Sequence, residues 1–162
     1  MTRAKDANPA RRARIGAAVA LATFLLSLSG AVPVLAGDAA TEVKSALTQW
    51  MEDFNDGKTD KVCDLFAADV RADYRGYPTR DHQAVCDLLI KSLSDRTRAF
   101  SYGLDIKEVL NFGEVTVVRL VWTLTIKEKD GRELKSVEPG MDIFRRQADG
   151  SWKIIRYMAY EE

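Results

Sequence analysis

The feature that most constrains this chain is a pair of long apolar runs folded back on each other at Asp130-Gly131. Val115 to Lys127 is rich in β-branched residues and reads as one long strand. Glu133 to Arg146 reads as its return, and Asp-Gly between them is a two-residue hairpin signal. A two-residue turn sets Lys129 opposite Arg132. Counting back then places Arg119 opposite Asp142, Val117 opposite Phe144 and Thr123 opposite Glu138. One face then carries Val117, Arg119, Val121 and Thr123 with Glu138, Gly140, Asp142 and Phe144; the other carries Leu120, Trp122 and Leu124 with Val137, Pro139 and Met141. Both faces are too apolar to lie in water. One is expected to pack on helices, and the face carrying Trp122 is expected to meet a second copy, giving a homodimer.

The preceding chain supplies the helices. Residues 38–55 place Val43, Ala46, Leu47, Trp50, Met51 and Phe54 on one stripe, and Asn55-Asp56-Gly57 ends the helix. Thr59 is positioned to cap a short second helix through Phe66. Val70 to Tyr74 reads as a short strand, followed by a turn at 75–78. A third helix is then capped by Thr79 or Asp81, with Val85, Leu88, Leu89 and Leu93 on its inner side. From Phe100 the period changes to two, and Trp152 to Tyr160 closes the sheet. Helices followed by a meander of antiparallel strands make an α+β domain with helices on one face of a sheet.

Residues 1–36 read as a secretory signal. Arg3, Lys5, Arg11, Arg12 and Arg14 form a basic head, Ile15 to Gly30 is free of charge, and Pro33-Val34-Leu35-Ala36 precedes the expected cleavage. An uncleaved anchor is the alternative, since the run from Ile15 is just long enough to span a bilayer. Cleavage implies a periplasmic or secreted domain over residues 37–162 with no membrane contact of its own. It removes five basic residues and one acid from a chain of zero net charge, leaving about −4. A mildly acidic domain without a basic cluster excludes nucleic acid as a partner. Export permits a disulfide between Cys63 and Cys86; the other reading is two buried thiols. Neither cysteine lies in a C-x-x-C pair and His82 is the only histidine, so no metal site is expected. With no phosphate-cradling glycine loop and no nucleophile–base triad, no cofactor is expected either.

The runs Trp50-Met51-Glu52-Asp53-Phe54-Asn55-Asp56-Gly57-Lys58, Val62 to Val70, Met141-Asp142-Ile143-Phe144 and Asp149-Gly150-Ser151-Trp152-Lys153-Ile154 together resemble the SnoaL-like, ketosteroid-isomerase-like branch of the nuclear-transport-factor-2-like superfamily. The resemblance spans essentially the whole chain after the leader. It implies a cone-shaped, strongly curved sheet wrapped around three N-terminal helices with a pocket between them, and it sets Cys63 and Cys86 on adjacent helices. Ketosteroid isomerase pairs a carboxylate base with an oxyanion hole of a tyrosine and a neutral carboxylic acid. Carried over, the neutral acid falls on Asp142, the tyrosine on Trp50, and the base on Tyr74, with Asp73 just before it. With one of the three groups retained, ketosteroid isomerisation itself is not expected. Asp142 and Arg119 are the candidate chemical residues, either as a functional pair or as a structural ion pair. Trp50, Phe54, Tyr74, Val121 and Phe144 are the candidate ligand contacts. The implied function is binding of a small apolar or aromatic molecule, with isomerase- or lyase-type turnover left open. The alternative is a non-catalytic dimeric module whose pocket is filled by side chains.

Overall fold

A computed structural model describes residues 38–162; the leader and its cleavage point lie outside the described residues. The element order is α1 (Ala39–Asn55), β1 (Phe66–Tyr74), α2 (His82–Leu93), β2 (Arg98–Asn111), β3 (Val115–Glu128), β4 (Glu133–Arg146) and β5 (Trp152–Ala159). The strands form one five-stranded sheet in the order β1-β5-β4-β3-β2. Only the β1–β5 pairing is parallel, so this α+β sheet is mixed.

Local sequence explains most of these elements. Asp38 caps α1 through the Ala40 amide, and Val43, Leu47, Trp50 and Phe54 form the buried stripe. Asp81 caps α2 by accepting from the Ala84 amide at 3.0 Å. The helix expected from Thr59 does not form, and the described residues contain two α-helices rather than three. Residues 59–65 instead make successive tight turns, with Lys61 N bonded to Lys58 O, Asp64 N to Lys61 O and Phe66 N to Cys63 O. Too few residues remain before β1 to offset the cost of nucleating a helix, and β1 starts at Phe66 rather than Val70. Val62 and Leu65 are buried all the same. A disulfide joins Cys63 in this segment to Cys86 on α2.

Extra residues at Lys107 on β2 and Ile155 on β5 interrupt the ladders and help to curve the sheet around α1. Two polar clamps hold α1 to its concave face. At the C-terminal end, the Asn55 amide donates to Tyr102 O at 2.9 Å and accepts from Tyr102 N at 2.7 Å. At the other end, Glu42 accepts from Trp152 Nε1 at 2.8 Å and pairs with Arg146.

The β3–β4 hairpin departs from the expected register by one residue. Glu128 N bonds to Arg132 O and Gly131 N to Glu128 O, so Lys129-Asp130-Gly131 is a three-residue loop. Gly131 takes φ +87°, the left-handed conformation that closes such a loop. Asp142 therefore pairs with Val118, Glu138 with Trp122 and Arg119 with Met141. A slip of one residue exchanges the faces of a whole strand relative to its partner. The concave face holds Val118, Leu120 and Trp122 together with Glu138, Gly140, Asp142 and Phe144. Arg119 and Val121 lie on the opposite, outer face with Pro139 and Met141. Trp122 accordingly looks toward the helices, its ring 5.3 Å from that of Trp50, and not toward the outer surface.

Candidate functional site

Alternation along β4 sets Ser136, Glu138, Gly140 and Asp142 on the concave face, and all four border a cavity of about 870 Å³. Its apolar wall is an aromatic cluster. Trp50 lies with its ring centre 5.5 Å from Phe54, 6.1 Å from Phe66 and 5.7 Å from Tyr102, and Trp122 closes on both Trp50 and Tyr102. Val85, Leu88 and Leu89 of α2 line the other side. Phe144 is fully buried in the core beyond Asp142 and does not line the cavity.

Asp142 is 4 % exposed and flanked across the ladders by Val118 and Tyr157. Among the described residues no donor hydrogen-bonds its carboxyl and no cation pairs with it. Burial alone lifts its pKa from 3.8 to about 7, because desolvation disfavours the charged form. The expected pairing with Arg119 is absent. Arg119 is bonded to Glu108 at 3.2 Å on the outer face, where the one-residue change of register put it. Val121, expected to contact ligand, leaves the site for the same reason.

Asp95 and Glu161 also border the cavity, but Glu138 is its other buried acid, 8 % exposed. Ser136 Oγ donates to its Oε1 at 3.2 Å. Burial raises the Glu138 pKa, and the Ser136 and Tyr74 hydroxyls pull it back. Burial, followed by the Glu138 charge, pushes the Tyr74 phenol to about 12. Burial also raises the phenols of Tyr102 and Tyr157, that of Tyr102 well above the ordinary range. Tyr74, Tyr102 and Tyr157 are therefore neutral donors at ordinary pH, and Glu138 and Asp142 are the buried carboxyls that share the cavity with them.

Of the expected contacts, Trp50, Phe54, Tyr74 and Asp142 share the cavity, whereas Arg119, Val121 and Phe144 do not. The Trp50 indole N–H is not free to replace a tyrosine hydroxyl, since it donates to Val62 O at 2.8 Å. Asp73 is exposed and accepts from Thr79, away from Tyr74. Glu138 was legible as a companion of Asp142 from the spacing of four residues in one strand. Tyr157 was not, because the extra residue at Ile155 decides that it faces inward.

The family model for the SnoaL-like domain matches residues 47–157. The chain belongs to the SnoaL-like family. Solved structures support the fold of this SnoaL-like domain. A ketosteroid isomerase-like protein from Erwinia carotovora atroseptica superposes with a TM-score of 0.64 at 20% identity, covering 77% of this chain and 97% of that one. An NTF2-like protein with a cystatin-like fold from Novosphingobium aromaticivorans gives 0.62 at 16% identity, over 75% of this chain and 80% of that one. ActVI-ORFA from Streptomyces coelicolor gives 0.63 at 13% identity, over 75% and 96%. At these identities the likeness concerns the SnoaL-like architecture and not the chemistry. No curated protein sequence matches the chain.

Proposed function

We propose that this SnoaL-like domain binds a ring-bearing, mainly apolar molecule whose oxygen function accepts a hydrogen bond from the protonated Asp142 carboxyl. The observation that carries this reading is an unpartnered, buried carboxyl on the wall of an aromatic cavity. A buried carboxyl with no protein partner is costly to keep unless it remains protonated or meets a ligand. Glu138 favours turnover over binding alone, because it supplies a second carboxyl of different environment facing the same space. An acid that donates and a base that accepts is the minimum for isomerase- or lyase-type proton transfer.

The Cys63–Cys86 bridge favours a working place outside the reducing cytoplasm. For assembly, the outer face of the sheet is the natural contact between two copies, with Val137, Met141 and Met158 exposed on it.

The test of the binding reading is a thermal-shift screen against steroids, polyketides and fused-ring aromatic ketones. A ligand that stabilises the wild type and loses that effect in Asp142→Leu, which has no donor, supports the site. Absence of stabilisation by every compound would leave a structural module. Turnover is read separately, by solvent deuterium exchange into a bound ketone that is lost in Glu138→Gln.

A further inference from the structure

Cations also border the cavity, and they differ in what occupies them. Arg98 is paired with Asp95 at 2.8 Å, and Lys91 is exposed at the end of α2. Arg80 is half-buried and has no carboxylate partner among the described residues. Its guanidinium lies over the Tyr77 ring, 5.1 Å from the centroid, and beside the Tyr157 hydroxyl. These contacts hold the planar fork in place without neutralising it.

The sheet sets Arg80 in line with Asp142. Arg80 pairs with Ala72, Ala72 with Tyr157, and Tyr157 with Asp142, forming one row across the strands. Residues directly opposite each other share a face, so all four project to the concave side. Three strand spacings separate the ends of the row, a backbone distance of about 14 Å. Arg80 reaches inward from one end and the short Asp142 carboxyl faces the cavity from the other, with Tyr157 between them in the row. Ala72 in this row, with Gly140 and Ala159 paired in the next, keeps the floor low beside Tyr157.

Resting on the binding reading above, we infer that the ligand is a carboxylic acid: Arg80 holds its carboxylate at one end of the cavity while Asp142 donates to a carbonyl or hydroxyl oxygen at the other. The site thus selects fused-ring oxo or hydroxy acids over their neutral esters. A guanidinium already clamped by two aromatic side chains gives up little freedom when it takes a carboxylate through two parallel hydrogen bonds.

The test is titration calorimetry with 9-oxofluorene-2-carboxylate and its methyl ester against the wild type, Arg80→Gln, Arg80→Lys, Lys91→Gln and Asp142→Leu, with thermal melts to verify folding. The wild type is expected to bind the acid about tenfold or more tighter than the ester, as a charge-assisted bidentate contact warrants. Arg80→Gln removes that preference, lowering affinity for the acid far more than for the ester. Arg80→Lys retains part of it, which secures the comparison should Arg80→Gln fold poorly. Asp142→Leu, which removes the donor, weakens acid and ester alike. Equal affinity for acid and ester in the wild type overturns the Arg80 subsite while leaving the cavity reading in place. So does a preference that survives in Arg80→Gln or is lost only in Lys91→Gln. Binding of neither probe to the wild type overturns both.

Discussion

Asp142→Asn should change how stability depends on pH, and by a definite amount. The carboxyl has an ordinary pKa of 3.8 and is raised to about 7 in the folded state by burial alone. Below pH 3.8 both folded and unfolded chains hold the proton at this position, so wild type and Asn variant should be close in stability. Between the two values the unfolded chain has lost its proton while the folded chain keeps it. Folded protein then binds more protons than unfolded, and stability must fall as pH rises. The slope is about 1.4 kcal/mol per pH unit, and the loss saturates at about 4 kcal/mol once pH exceeds 7. The Asn variant lacks this titration but retains every other carboxylate, so subtracting one profile from the other isolates Asp142. Urea denaturation at half-unit steps from pH 4 to 8 is the assay. Wild type should lose stability relative to the variant across that window, and the two should run parallel above about pH 7.5. Parallel profiles throughout, or a wild type that gains on the variant with rising pH, would refute the claim that this carboxyl is buried without a charge partner.

Other expectations follow from the same structure. A neutral ligand that accepts from the Asp142 carboxyl should lose affinity about tenfold per pH unit above pH 7, as the donor proton is lost; calorimetry at pH 6, 7 and 8 checks this. Replacing both Cys63 and Cys86 by serine should cost about 3 kcal/mol by denaturant titration, since the bridge closes a loop across a sequence separation of 23. Asn55→Ala should cost about 1 kcal/mol, because it removes two solvent-exposed hydrogen bonds to the Tyr102 backbone. Light scattering after gel filtration should give a dimer for the wild type and a monomer for Met141→Lys, which sets a charge in the outer apolar patch; a wild-type monomer would remove the proposed interface.

The sequence by itself determined the order of α1, α2 and the five strands, the buried stripe of α1 and the return strand from Glu133 to Arg146, though it added a helix at Thr59 that does not form. It also determined that Glu138, Gly140, Asp142 and Phe144 share a face. These are properties of period and capping, and they depend on neighbours a few positions away. Tertiary structure decided what that face meets. A glycine in the left-handed conformation made the hairpin loop three residues long instead of two, and the change of one residue exchanged Arg119 for Val118 beside Asp142. An expected ion pair thereby became a lone carboxyl in an apolar wall. The extra residue in β5 likewise turned Tyr157 inward beside it, and the β1 pairing brought Arg80 into the same row. Pairing across strands is fixed by loop closure and by burial of one whole face at once, and a count along a single strand does not contain that information.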